Sequence, residues 1–334
     1  MSSTLSDVAR EAGVSKGTAS KALNGRDGVS EQTRLRVGRA AEALGWKPSY
    51  AARALSRSAT GVFGLGIARS SETVGAENFF MAIVAGMEEE LSHSDRGLLM
   101  QIVPDVEAEA ELLARWAAER RVDGIVLLDP RLDDPRIRVV EDSGLPAAVM
   151  SCEVLGEGIA TLLADEDERM RRMLDHLVSR QGEEHIVYIA GLPEFLHVAR
   201  RREAFERICA ERGIRGSVLT SDYRRASAQA WVAEILALRR RTGCRAVIVD
   251  NELLAAQLLV ELRGTDVSVP RDLAVAALED SILCTVTDPS LTALGRDVRE
   301  NGRQLARVLV ERTETGTVRS LQADAGAVRA RGSS

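Results

Sequence analysis

Apolar residues follow two kinds of spacing along this chain, and the change comes near residue 60. Before it, Val8, Ala9 and Ala12 share a helical face, as do Ala19, Ala22 and Leu23, and then Val37, Ala40, Ala41 and Leu44. Thr4 is placed to cap a first helix, with Asp7 three residues on in an approximate capping box. Gly13 follows where a turn needs positive φ. Ser15 caps a second helix over 16–23, which leaves Lys16, Gly17, Ser20 and Lys21 facing outward. Ser30 caps a third, over 31–44, and Gly45 ends it. Pro48 breaks the chain, and 49–56 is a helix candidate of about two turns, marginal by itself in water. Two short helices joined by a tight turn, the second leading with its outward N-terminal side chains, predict a helix–turn–helix that enters the major groove of DNA.

From Thr60 the pattern becomes alternating strands and helices. Strands are expected at 62–67, 98–103, 123–128 and 145–150, with helices at 79–91 and 106–119 and a short one before the fourth strand. A second series has strands at 159–163, 185–189, 218–219, 246–249 and 273–278, separated by helices at 166–179, 199–211, 226–239 and 253–262. Residues 291–294, a helix over 298–311 and a short strand near Leu321 close the chain. After Asp324 the small and charged residues read as a frayed tail. Two runs of β-α-β predict two doubly wound parallel sheets, so the fold class is α/β with an all-α headpiece.

Length and composition agree: 334 residues suggest two or three domains, and 45% hydrophobic with 28% charged residues fits a water-soluble globular chain. No apolar run is long enough to span a membrane, and the N-terminus has no signal-like apolar stretch, which predicts a cytoplasmic protein. Cys152, Cys209, Cys244 and Cys284 are scattered, and the four histidines lack close ligand spacing, so neither disulfide, metal nor cofactor is expected. Charge changes the picture. Through Ala59, ten basic residues stand against five acidic ones, giving +5 there and −11 in the remainder of a net −6. A basic module on an acidic body is the footprint of a DNA-binding head.

The run Ala9-x-x-Ala12-Gly13-Val14-Ser15-x-x-Thr18-x-Ser20 at the N-terminus, continued through Leu55, closely resembles the headpiece of LacI/GalR-family transcriptional repressors. Further anchors are Asp123-Gly124-Ile125, Asp165, His176-Leu177 before Gly182, 186–191, Asn251-Glu252, 269–272 and 289–292, so the resemblance covers residues 4–322. It implies a two-lobed, periplasmic-binding-protein-like core whose chain crosses between lobes three times and returns to the first. The domains expected are a headpiece over 1–47, a hinge helix and linker over 48–59, and a core over 60–324. Within the core, the first lobe is 60–157 plus 287–324 and the second 158–286, with a flexible tail over 325–334. The partners implied are double-stranded operator DNA, a second copy of the chain and a sugar-like effector.

By the same resemblance, DNA is met by Thr4, Ser15, Lys16, Gly17, Thr18, Ser20, Lys21, Asn24, Ser30, Tyr50, Ala52, Arg53 and Leu55. Lysine can donate to guanine, whereas Gly17 has no side chain to read with. Leu55 corresponds to the family's minor-groove wedge at the centre of a palindrome, its alternative being packing on the core domain. Phe79, Phe80, Asp165, Arg201, Asn251, Glu252 and Glu279 map to the effector cleft. Arg201 lies in an arginine triplet that also reads as a solvated helix face, and Phe79 and Phe80 also read as core. Glu77 stands where the family usually has asparagine, Glu279 where it has aspartate and Ala277 where it has glycine, so the pocket wall differs.

Other classes fit less well. No nucleophile elbow, phosphate loop or glycine fingerprint supports an enzyme. A transport receptor would have a signal peptide and no headpiece. The expectation is a dimeric, effector-modulated repressor, with an effector-independent regulator of the same fold as the alternative.

Overall fold

The computed structural model describes residues 3–25, 27–47, 59–181, 184–221 and 228–334. It divides into two compact units, one ending at Gly61 and one beginning at Val62. In the first, α1 (Leu5–Glu11), α2 (Lys16–Leu23) and α3 (Glu31–Ala43) close over a small core of Val8, Ala9, Ala12, Ala19, Val37, Ala40 and Ala41. Small residues let the three helices approach closely. The termini are specified locally: Thr4 and Asp7 form a reciprocal capping box, and Gly13 turns the chain at φ 63°. Arg36 of α3 donates from Nε to the Ala12 carbonyl at 2.9 Å, satisfying an acceptor at the end of α1.

In the second unit, β1 (Val62–Ala68), α4 (Ser71–Ala76), α5 (Asn78–Ser92), β2 (Gly97–Val103), α6 (Val106–Ala118), β3 (Gly124–Leu127), α7 (Pro135–Ser143), β4 (Ala147–Ser151) and β5 (Ile159–Leu163) come first. Then follow α8 (Glu166–Gln181), β6 (His185–Ala190), α9 (Leu196–Glu211), β7 (Arg215–Thr220), α10 (Ala228–Thr242), β8 (Ala246–Val249), α11 (Glu252–Leu262) and β9 (Ala274–Ala277). The chain ends with α12 (Leu283–Val286), β10 (Thr292–Gly295), α13 (Val298–Thr315), β11 (Ser320–Gln322) and β12 (Ala327–Arg329). The strands form two six-stranded sheets, ordered β11-β5-β4-β3-β1-β2 and β12-β10-β9-β8-β6-β7. Every pairing is parallel except β10 with β12. The central strands β3, β4, β6, β8 and β9 are buried along their length, as parallel strands covered on both faces must be.

Two boundaries differ from the sequence expectation. β5 does not open the second lobe: it pairs with β4 in the first sheet, Ala147 opposite Ile159, and the crossing follows Leu163. β10 pairs with β9 in the second sheet, so the second crossing lies after Gly295 rather than near residue 287. A both-faces-buried strand fits either sheet by its apolar content, and only pairing decides which. The expected flexible tail over 325–334 is also corrected. After β11 joins β5, the chain crosses a third time, and β12 adds to the second sheet as an antiparallel edge. Ser333 is fully buried. Its carbonyl accepts from Val275 N at 2.8 Å, and its Oγ accepts from Thr292 N at 2.8 Å. Backbone pairing outweighs a composition that reads as loop. The sequence pattern also passed over α4 and α12, both too short to show a helical period.

Candidate functional site

On the headpiece, Lys16, Gly17 and Lys21 are exposed on α2, while Thr18 and Ser20 are half-buried. Four other expected contacts have prior local duties. Ser15 Oγ accepts from Thr18 N at 3.1 Å, Ser30 Oγ from Thr33 N at 3.3 Å and Thr4 Oγ1 from Asp7 N at 3.3 Å, while Asn24 Nδ2 donates to Ser20 O at 2.9 Å. All four stay exposed, so a cap and a polar contact are compatible uses of the same residue. Lysines leading an exposed helix can meet phosphates and base edges. Tyr50, Ala52, Arg53 and Leu55 lie outside the described residues.

The second unit holds a cavity of about 190 Å³ between its two sheets. Its polar walls come from the carboxyl ends of strands, where open α/β sheets place ligands. Arg69 follows β1, Asp129 follows β3, and Asp250 and Asn251 follow β8. Glu166 begins α8 just after the first lobe crossing, and Arg296 sits on the second.

Arg201 occupies the centre. Only 4% exposed, it donates from Nε to Glu166 Oε2 at 2.6 Å, from Nη1 to Asp250 Oδ1 at 3.1 Å and from Nη2 to Glu279 Oε1 at 2.9 Å. Longer bonds to the Asp250 carbonyl and to Glu166 Oε1, both 3.4 Å, engage the rest of its fork of five donors. Glu279 is shared by three arginines: Arg201, Arg169 at 2.8 Å and Arg296 at 2.8 Å. Burial pushes the Glu166 and Glu279 carboxyls up, but the surrounding guanidiniums outweigh it and hold both below the usual carboxylate range. Asp129 behaves likewise, with Arg69 at 2.5 Å as its main offset against burial. Tyr188 donates to Asp250 Oδ1 at 2.7 Å and fixes its orientation.

Another group of lining residues departs from this balance. Burial raises Glu77 to about 8, aided by Asp129, and raises Glu252 as well. His197 is lowered by burial and then by Arg201, which favours its neutral form. Phe79 and Leu192 supply apolar surface, with the Arg296 guanidinium 5.7 Å from the Phe79 ring. The lobes are also joined beside the cavity. Leu132 N donates to Glu194 O at 3.1 Å and Leu196 N to Pro130 O at 2.9 Å, and the Phe195 ring lies 3.7 Å from the Arg69 guanidinium.

Of the expected effector residues, Phe79, Arg201, Asn251, Glu252 and Glu279 line the cavity. Two are placed elsewhere. Phe80 is 1% exposed and packs in the first-lobe core, because the next residue along a helix points about 100° away. Asp165 is exposed, its Oδ1 accepting from Glu168 N at 2.9 Å; the carboxylate in the cleft is its neighbour Glu166. Arg69, Asp129, Asp250 and Arg296 were missed. Each lies within two residues of a strand's carboxyl end, and that position was the available signal.

A helix–turn–helix unit followed by a two-lobed core with a cleft defines a DNA-binding regulator. The comparisons agree. Residues 4–49 match the model described as bacterial regulatory proteins, lacI family, and residues 174–334 match a periplasmic binding protein-like domain. The HTH-type transcriptional regulator CelR of Thermobifida fusca is 30% identical over 316 residues, spanning 92% of this chain and 91% of that protein. The HTH-type transcriptional repressor PurR of Aliivibrio fischeri (strain MJ11) is 27% identical, with 92% and 91% covered. A CelR–cellobiose complex aligns with TM-score 0.74 at 27% identity over 99% of this chain and 100% of that one. The lac repressor dimer bound to operator and the anti-inducer ONPF shares the fold, with TM-score 0.81 at 20% identity over 100% and 99%.

The chain belongs to the LacI family: it is a DNA-binding transcriptional regulator and not an enzyme. Among the described residues, no helix is long and apolar enough to cross a membrane.

Proposed function

We propose that this regulator is a cytoplasmic repressor that binds a palindromic operator as a homodimer and responds to a sugar-like molecule in the interlobe cleft. The observation that carries the effector reading is the position of the cavity's ionic cluster. Glu166 and Arg296 sit at two lobe crossings, and Arg169 reaches the third through the Ala325 carbonyl at 3.4 Å. A ligand that engages this cluster acts on the segments about which the lobes turn. Its energetic leverage is its differential affinity for the two lobe arrangements. The likeness to CelR, solved with cellobiose, points to a β-linked glucoside as the first compound to try.

In this reading, Lys16, Ser20 and Lys21 read the half-sites and Leu55 wedges the centre. Lobe rearrangement sets whether two copies of segment 49–56 can pair. The coupling is reciprocal, so operator changes effector affinity by the same factor. The effector-independent alternative has one observation in its favour: the Arg201 fork is already satisfied by protein carboxylates.

The test selects genomic fragments bound by the full chain, footprints the tightest at fixed salt, and titrates cellobiose into the complex. A protected palindrome that is released, or tightened, by cellobiose supports the proposal. A palindrome indifferent to cellobiose and to every sugar tried favours the effector-independent regulator.

A further inference from the structure

Resting on the reading of the cleft as the effector site, we propose that Glu77 is a specificity-determining residue: a carboxylic acid that donates a hydrogen bond to an acceptor oxygen of an uncharged ligand. Its ionisation then weakens that ligand's binding.

The ligand's charge class follows from what the arginines already hold. Arg201 is spent on Glu166, Asp250 and Glu279, Arg169 and Arg296 on Glu279, and Arg69 on Asp129. Among the described residues lining the cavity, each of the three arginines already holds a carboxylate, and Arg201 at the centre has all three guanidinium nitrogens engaged. An anionic ligand would compete with those carboxylates for the same cations, and displacing one would leave a buried charge without its partner.

Glu77 has the opposite circumstance. It stands at the N-terminal end of α5, yet its side chain makes no capping bond there. Instead its Oε1 accepts from Asn251 Nδ2, on the other lobe, at 3.3 Å. The charged groups facing it are Asp129 and Arg69 from its own lobe and Asp250 and Glu252 from the other. Arg69, the cation of that set, is engaged by Asp129 at 2.5 Å. An ionised Glu77 would set a further negative charge beside Asp129 and Asp250, whose arginines are already engaged, and beside Glu252, itself raised by burial; protonation avoids this. Burial and these neighbours raise its carboxyl to about 8, so at neutral pH it presents an O–H to the cavity. Ligand affinity is then complete below that value and falls as pH rises through it. The asparagine usual in the family at this position can donate at any pH, whereas a carboxylic acid donates only while it holds its proton.

The experiment measures cellobiose binding by calorimetry on the full chain at several pH values, for wild type and Glu77→Gln, with infrared titration of both proteins without ligand. Wild type is expected to lose about tenfold in affinity between pH 7 and pH 9, while Glu77→Gln binds comparably at pH 7 and stays flat. The infrared spectrum of wild type is expected to show a protonated-carboxyl band at pH 7 that disappears by pH 9 and is missing from Glu77→Gln. Equal pH profiles in both proteins, or loss of binding at every pH in Glu77→Gln, overturns the proposal. If cellobiose binds neither protein, the β-glucoside reading falls. The infrared band then decides: its presence supports Glu77 as an acid, and its absence at pH 7 overturns that assignment.

Discussion

Removing the Arg201 guanidinium would leave Glu166, Asp250 and Glu279 facing one another without the cation they share. Breaking a buried ionic group by deleting one partner costs about 3–5 kcal/mol. Arg201→Ala is therefore expected to lower the urea midpoint of the second unit as well as abolish effector response. A variant without response but with wild-type stability would mean that the carboxylates are paired by something else. Residues on the headpiece behave differently, because they are exposed. Lys16→Ala and Lys21→Ala are expected to leave stability within about 0.5 kcal/mol of wild type. Each should also reduce the salt slope of operator binding by about one unit if it meets a phosphate. Unchanged affinity and slope in both variants would remove α2 from the DNA contact.

Helices α5 and α13 approach so closely that their glycines have no substitute. A Cβ on Gly86 would lie 1.9 Å from the Arg299 carbonyl oxygen, and one on Gly302 would lie 2.3 Å from that of Ile83. Since backbone cannot move aside as a side-chain tip can, Gly86→Ala is expected to cost at least 1–3 kcal/mol, read as a fall in Tm. The outward flank of the same contact is ionic, with Arg303 on Glu89 at 2.7 Å and Arg307 on Glu90 at 2.8 Å, and contributes less because it is solvated. The other element with a testable load is the terminal segment. Ending the chain at Asp324 would strip β12 from β10 and the Ser333 bonds from Val275 and Thr292. That truncation is expected to be strongly destabilising; a wild-type melting curve would contradict the edge-strand assignment.

At the scale of the whole molecule, the ionic cluster gives the second unit a pH signature. Glu166, Glu279 and Asp129 all have folded values below the roughly 4 of an unfolded carboxyl. Their contribution is present above that value and is lost progressively as pH falls toward the folded ones. From these three groups the denaturation midpoint should drop steeply below about pH 4, while the raised Glu77 carboxyl, protonated in the folded chain, adds a decline as pH rises from about 4.5 toward 8. A chain as stable at pH 3 as at pH 6 would show that the arginines do not hold these carboxylates ionised. The basic headpiece on an acidic remainder implies a second signature, association with DNA that weakens steeply with added salt.

Much was legible in the residues themselves. Caps, glycine turns and small apolar faces specified the three headpiece helices, because those signals act within a few residues of each other. Alternating strand and helix patterns likewise specified a pair of parallel sheets. Lobe membership was not legible: Ile159–Leu163 and Thr292–Gly295 are apolar enough for either sheet, and long-range pairing alone assigned them. The same holds for the terminal residues, whose small polar composition says loop until β10 offers its edge. In the cleft, Arg201 and Glu279 could be placed by resemblance, but not Glu166 and Asp250, the other carboxylates that surround the guanidinium. Glu166, Asp250 and Glu279 come from separate segments of the chain, and their charges acquire meaning only at hydrogen-bonding distance. Sequence determined what is encoded over one or two turns of chain, and tertiary structure decided what depends on which distant groups share a desolvated space.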